Sequence, residues 1–404
     1  MSSRKKEISK KAIRNLIDPI INEIIQIRRK IHSNPEIMLK EYETAALIRG
    51  YLGKLNVKTV KPYIETDTVG IIQGEDADAG KTILLRADID ALNIEEKTSL
   101  EWKSCSKDCA HSCGHDGHVA ILLGVVNVLS QLTKYFVGNV KFVFQPAEEG
   151  GGGGKMLVGK GILDDRPYVD EVYALHGWPG IKKGLFESCR GTMMAAVDEF
   201  EIVIKGKGGH AAMPNLAVDP IVTAAYIITA LQTIVSRNAD PLEPAVVTIT
   251  SLTGGSYNNV IPDSVKMNGT LRYFRKEKQD FFKNRIEEIV KGICSANNAC
   301  YTFDFEPHYI PLVNNSEKVN FIGKVIKNMF GDEYWSDSAV PTAGAEDFAF
   351  YLDKRPGVFY RVGLGYDHPS LHNSYFDFDD DIIYNSILSM CGIALNSLDC
   401  EIVD

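Results

Sequence analysis

Ten consecutive positions, CAHSCGHDGH from Cys109 to His118, hold three of the chain's nine histidines with two cysteines and one aspartate. Imidazole and thiolate beside carboxylates suit zinc or a neighbouring divalent transition metal. Further polar groups end three short apolar runs. TILLRAD ends in Asp88, with Asp90 beyond it; VKFVFQPAEEG brings Gln145, Glu148 and Glu149; EVYALHG ends in His176. In an open parallel sheet the carboxyl ends of the strands border the ligand crevice, so these clusters are expected to meet at one edge. Each has a plainer explanation alone: a polar loop, an ordinary cap, a satisfied core histidine, or a helix start where carboxylates are favoured. Their shared strand-end placement is hard to reconcile with chance. A catalytic metal site keeps one coordination position open for water, lowers that water's pKa and polarises a carbonyl. A carboxylate beside the ligands can take the water's proton and pass it to a leaving amine. The adjacent Glu148 and Glu149 suit a division of labour, one on the metal and one as base.

The five glycines at 150–154 raise a phosphate loop as a rival. The G-x-x-x-x-G-K-[ST] pattern fails twice, because Glu149 stands five before Gly154 and Met156 follows Lys155. A flexible turn near the site is the better reading.

Positioning these groups calls for alternating strands and helices. VGIIQG, TILLRAD, VKFVFQ and EVYALHG read as strands, and HVAILLGVVNVLSQL as a helix between them, which predicts an α/β domain with a largely parallel sheet. An amphipathic helix is expected to open the chain on Ile20, Ile21, Ile24, Ile27 and Ile31, with Asp18 as its N-cap before Pro19. TAALIRGYLGKL is expected to be a second helix. Near residue 195 the character changes to a β-α-β-β-α-β order resembling a small ferredoxin-like unit. The expected organisation is a domain of residues 1–193 and 309–404 interrupted by an insert at 194–308. Composition is that of a soluble globular protein, with 45% apolar and 24% charged residues over 404 positions. The net charge of −9 argues against nucleic acid as a partner. No membrane span is expected, no apolar signal region follows the basic MSSRKKEISKK, and a cytoplasmic location is the default. Eight cysteines scattered over so long a chain do not make a disulfide scaffold.

RADIDAL, HSCGHDGHVA, QPAEEGGGG, ALHGWP, GKGGHAAMP, NVIPD, GTLR, GAEDFAFY and LHNSYFD occur in that order. Together they resemble the metal-dependent amidohydrolase family of hippurate hydrolase, N-acyl-amino-acid amidohydrolases and the auxin-conjugate hydrolases, within the aminoacylase and carboxypeptidase group. The resemblance runs from RRKIHSNPE to the end of the chain. It implies a zinc-exopeptidase-like α/β catalytic domain with an inserted ferredoxin-like α+β lid, and one or two divalent ions (Zn, Mn, Ni or Co). By motif, the implied ligands are Cys113, His115, Glu149, His176 and His372, with Cys113 bridging two metals. Glu148 is the implied general base and acid, and Asp88 orients a ligand. His210, possible across a homodimer interface, is implied to stabilise the oxyanion, and Asn259 and Arg272 to hold the substrate carboxylate. Arg272 has an equally good reading as a surface ion pair. Arg86 stands where more distant relatives carry a histidine ligand, and His115 takes that role. Cys105 and Cys109 depart from the pattern and read as incidental thiols, with a separate metal site or a redox pair as the alternative. His118 is expected beside the ligands rather than among them.

The activity so implied is hydrolysis of the amide of an N-acyl or N-aroyl amino acid, with a small-molecule substrate and no membrane partner. Within the same chemistry, a dipeptidase or carboxypeptidase and an N-acetyl-diaminopimelate deacetylase stay open. A non-catalytic protein with a closed zinc site on Cys105, Cys109, Cys113 and His115 is the alternative of another class.

Overall fold

The structure, a computed structural model, describes residues 6–55 and 57–404. The chain falls into two compact units. The first takes the residues up to Met193 together with Val313–Val340 and Asp347–Asp404. The second runs from Met194 to Leu312 and includes Pro341–Glu346.

The first unit is built on an eight-stranded sheet whose order in space is Trp335–Ser336, Phe186–Glu187, Gly357–Gly365, Glu171–Pro179, Thr82–Asp88, Asn139–Gln145, Thr68–Gln73 and Lys58–Thr59. Its four middle strands are mutually parallel. The Thr82–Asp88 and Asn139–Gln145 strands are buried at every position, as expected of strands covered on both faces. From Thr82–Asp88 the chain moves one strand outward to Asn139–Gln145, then crosses back to Glu171–Pro179 on the other side. That reversal is a topological switch point, and the carboxyl ends of the strands flanking it form a crevice.

The helix His115–Ser130 fills the space under that crevice. Every residue from His115 to Leu129 is buried, so it is apolar all round rather than amphipathic. It packs between the helices Ile21–Ser33 and Ile383–Ser397. The opening of the chain differs from the sequence expectation. A strand, Lys6–Ser9, and a helix, Lys10–Ile17, precede Ile21–Ser33. Asp18 ends the earlier helix, its N–H bonding the Arg14 carbonyl, and Ile20 caps the later one without a side-chain hydrogen bond. Pro19, lacking an N–H, fits the turn between the two helices.

In the second unit the strands Ala196–Lys205, Ala245–Thr253, Ser264–Tyr273 and Cys300–Tyr309 alternate with helices Pro220–Thr233 and Gln279–Ala296. All three strand pairings are antiparallel, and the first and third strands are central. This is the ferredoxin-like arrangement. Alternation places Phe200, Ile202 and Ile204 on the helix-covered face, with Glu199, Glu201 and Val203 on the other. By length and composition alone, Pro220–Asn238 is long and apolar enough to cross a bilayer. Its Thr223, Ala224, Ile227, Leu231 and Ile234 are buried, and four of these five, all but Thr223, lie in the core under the sheet.

Candidate metal centre

Three strand ends and two loops build the site, all within the first unit. After the Thr82–Asp88 strand, Asp90 turns its carboxylate towards the loop that follows Asn139–Gln145. The Glu148 N–H donates to Asp90 Oδ1 at 3.1 Å and the Glu149 N–H to Oδ2 at 2.9 Å. The residue before them, Ala147, is held at φ 58°, a left-handed conformation that costs a side-chain-bearing residue about 1–2 kcal/mol. Its N–H is tied to Glu41 Oε1 at 3.0 Å and its carbonyl to the Gly153 N–H. Anchored on both sides, the loop presents two adjacent carboxylates to the crevice. The glycine run closes against the same scaffold, because a Cβ at Gly154 would stand 2.8 Å from the Asp347 carbonyl oxygen.

Gly114, at φ 87°, caps the His115–Ser130 helix, and a Cβ there would meet the Phe378 ring at 2.9 Å. The turn sets Cys113 and His115 on either side of the helix start. The His115 Nδ1–H faces the Asp90 carbonyl at 2.9 Å, which leaves Nε2 as the free end of the ring. That atom is buried and without a hydrogen-bond partner among the described residues. It lies 3.7 Å from Asp88 Oδ2 and 4.0 Å from both Glu148 Oε2 and Glu149 Oε1. A lone pair aimed at three carboxylates calls for a cation between them. Without one the ring itself takes the proton: burial opposes its charge, but Asp88, then Asp90 and Glu149, outweigh it and lift the pKa to about 10.

Within the Glu171–Pro179 strand, His176 places Nδ1 2.7 Å from the Gly177 carbonyl, so Nε2 is left to face Cys113 Sγ at 3.6 Å. Burial, followed by the charge of His118, holds His176 neutral, the state in which an imidazole ligates. Cys113 is the converse case. Burial first, then Glu149, Glu148 and Asp88, pushes its thiol well up, so the thiolate needs a metal beside it. His372 is held at φ 60°, with its N–H on the Ser112 carbonyl at 2.7 Å and Nε2 3.1 Å from Glu149 Oε1. The ligand atoms of Cys113, Glu149 and His372 lie within 4.8 Å of one another, as do those of His115, Glu148 and Glu149. Glu149 belongs to both groups, and Cys113 reaches His176. The five residues expected as ligands are therefore linked one to the next, with Glu148 beside His115 and Glu149.

Asp88 and His118 are tied to each other beside these ligands. The His118 Nδ1–H donates to Asp88 Oδ1 at 2.6 Å, while Nε2 accepts the Gly177 N–H at 2.9 Å. Both ring nitrogens are used, so His118 is unavailable as a ligand although it sits in a histidine–aspartate cluster. Asp88 also accepts from Arg86 Nη1 at 2.6 Å. Among the described residues Asp88 thus accepts from His118 and Arg86, and His118 in turn accepts the N–H of Gly177, next to His176. Arg86 further donates to Gln145 Oε1 at 3.0 Å and Asp347 Oδ1 at 2.9 Å, a buried guanidinium tying two strand ends to the turn before the helix Ala349–Leu352.

Sequence reasoning assigned no role to Asp90 or Asp347. The signal was present in RADIDAL and GAEDFAFY, but what these side chains hold lies far along the chain. Cys105 is exposed and Cys109 buried, and among the described residues neither joins a cluster of ligand atoms. In the second unit, His210 and Asn259 come together: His210 pairs with Val260, and the Ala211 N–H bonds the Asn259 carbonyl at 3.0 Å. Arg272 lies on the uncovered face of the sheet, where burial lowers its pKa against the support of Glu199, on the same face, and of Asp198.

Residues 84–396 match the peptidase family M20/M25/M40. The chain belongs to this family. Thermostable carboxypeptidase 2 of Saccharolobus solfataricus is 36% identical over 95% of this chain and 97% of its own length. IAA-amino acid hydrolase ILR1-like 4 of Arabidopsis thaliana is 38% identical over 89% of this chain and 82% of its own. N-acetylcysteine deacetylase of Bacillus subtilis is 37% identical over 89% and 93%. Among solved structures, the Bacillus subtilis YXEP protein, described as a dinuclear metal-binding peptidase of the M20 family, is 31% identical with a TM-score of 0.83, covering 94% of this chain and 99% of that one. As an M20 protein the chain is a metal-binding hydrolase of the amidohydrolase and peptidase type, with an α/β catalytic domain and an inserted lid. The residues present fit a divalent ion, on the evidence of the orphaned His115 nitrogen and the neutral His176.

Proposed function

We propose that this M20 hydrolase cleaves the amide of N-acyl or N-aroyl amino acids, releasing a carboxylic acid and a free amino acid. The observation that carries the reading is Glu148, a buried carboxylate 4.0 Å from the unpartnered His115 Nε2 and just before the ligand Glu149 in sequence. A closed structural zinc site has no use for such a group. The names of the deacetylase and IAA-amino acid hydrolase relatives support the N-acyl substrate class.

In this reading Cys113, His115, Glu149, His176 and His372 hold one or two divalent ions, zinc, manganese, nickel or cobalt. A bound ion supplies an acidified water and a polarised scissile carbonyl. Glu148 accepts the water's proton as oxygen attacks the carbonyl carbon, then returns it to the leaving nitrogen as the C–N bond breaks. Asp90 holds Glu148 and Glu149 in register, and Asp88 holds His118 against the Gly177 peptide. His210, Asn259 and Arg272 are the proposed substrate contacts of the second unit. A homodimer is the proposed assembly, supported by exposed Leu216, Tyr226 and Tyr257 on that unit.

The carboxypeptidase relatives favour a second reading, cleavage of a peptide's C-terminal residue. The deciding experiment is a panel of hippurate, N-acetyl-methionine, N-acetyl-diaminopimelate and a blocked dipeptide, assayed with Mn²⁺, Zn²⁺ or chelator. Metal-dependent release of amino acid from the N-acyl substrates, lost in Glu148→Ala with metal still bound, is expected. Turnover of the dipeptide alone would replace this reading by the carboxypeptidase.

A further inference from the structure

We propose that Arg28 is a positioning residue that clamps together the two chain segments carrying the metal ligands, Cys113–His115 and His372. This rests on the ligand assignment above. Arg28 lies on the helix Ile21–Ser33 and is fully buried. Its Nε stands 2.7 Å from Asp116 Oδ2, the residue directly after His115. Its Nη2 pairs with Asp377, five residues after His372, and Nη1 lies 3.5 Å from Asp380 Oδ1. One planar guanidinium therefore addresses a carboxylate from each ligand segment through different nitrogens, which a lysine's single ammonium cannot do.

The surroundings reinforce both arms. His32, one turn further along the helix, places Nδ1 2.9 Å from the same Asp116 Oδ2 and Nε2 3.4 Å from Glu96 Oε2. Arg29 reaches Asp380 with Nη2 at 2.8 Å and lies over the Trp102 ring at 3.6 Å. The Asp377 carbonyl accepts from His368 Nε2 at 2.7 Å, which pins the segment just before His372. A cluster of three carboxylates around one arginine is a costly thing to bury for stability alone, because hydrophobic side chains of similar volume often do as well. Its geometry does have a specific consequence. Cys113 and His372 must bring ligand atoms to within a few ångströms, yet no strand or helix spans from one to the other. His372 is held at φ 60°, and its N–H bonds the Ser112 carbonyl. Arg28 fixes both segments from beneath.

The test is Mn²⁺ titration of the full-length chelator-stripped protein, with free Mn²⁺ read by electron paramagnetic resonance. Wild type, Arg28→Lys, His372→Ala and the double variant are compared, and near-UV circular dichroism checks that each is folded. Removing a group that orients metal ligands costs 10–100-fold in metal affinity, and that loss is expected for Arg28→Lys. In the His372→Ala background, where register between the segments no longer matters, the added loss should shrink to about threefold or less. Should Arg28→Lys fail to fold, Asp377→Asn removes only the outer arm and is expected to show the same pattern. Wild-type affinity in folded Arg28→Lys or Asp377→Asn, or an undiminished loss without His372, would overturn the clamp while leaving the ligand assignment standing. Wild-type affinity in His372→Ala would overturn the ligand assignment and the clamp with it.

Discussion

Replacing Asp90 by asparagine tests how the crevice is held, at a residue that touches neither water nor product in the proposed reaction. The aspartate accepts the N–H groups of both Glu148 and Glu149, at 3.1 and 2.9 Å. Hydrogen bonds to a charged acceptor contribute about 1.5–3 kcal/mol each. Asparagine is isosteric, so one bond survives with a neutral acceptor, while the other N–H meets an NH₂ group. The loss is one charge-assisted bond and part of a second, roughly 2–4 kcal/mol. That is comparable with the cost of about 1–2 kcal/mol of keeping Ala147 left-handed at φ 58°. With its anchor weakened, the loop gains a reason to relax, and the two glutamates leave their places together. We expect Asp90→Asn to stay folded, to bind metal 10–100-fold more weakly, and to lose kcat even at saturating metal. Metal titration and steady-state kinetics on the best substrate of the panel measure both. Wild-type metal affinity together with wild-type kcat would show that the loop keeps its shape without Asp90, and the reasoning would fail.

Three further outcomes follow from the same geometry. Glu148→Gln should lose 10²–10⁴-fold in kcat at unchanged metal stoichiometry, and an equal loss of bound metal would instead make Glu148 a ligand. His118→Ala leaves Asp88 Oδ1 and the Gly177 N–H unpaired in a buried place, a loss of about 3 kcal/mol and roughly 3–5 °C in Tm; a shift under about 1 °C in a thermal melt would contradict it. For His32, burial opposes the charge but Asp116, with Glu96, prevails and raises the pKa to about 9. A folded-state pKa above the unfolded value near 6.5 means that its stabilisation is complete below about pH 6.5 and is lost as pH rises towards 9. The difference in urea-unfolding stability between wild type and His32→Gln should therefore shrink across that interval, by at most roughly 3 kcal/mol, and a constant difference would refute it.

Much of this protein was legible in its sequence. Short β-branched runs ending in polar residues located the Thr82–Asp88, Asn139–Gln145 and Glu171–Pro179 strands, because side-chain period and strand-end placement are local properties. Residue type and motif order named the family and the candidate ligands, since a metal selects imidazole, thiolate and carboxylate wherever the fold puts them. Asp18, read as an N-cap, ends a preceding helix instead, because a proline marks a break without saying which helix the aspartate serves. What the tertiary structure alone decided is how the ligands are held. Asp90 meets the Glu148 N–H across 58 residues, His32 meets Asp116 across 84, and Arg86 meets Asp347 across 261. Likewise, His118 and His115 look alike in HDGH, and only the Gly177 N–H, 59 residues on, occupies the nitrogen of one and leaves that of the other open. Ligand identity follows from side-chain chemistry, which the sequence states outright. A ligand's free lone pair depends on which distant donor the folded chain brings to its other side.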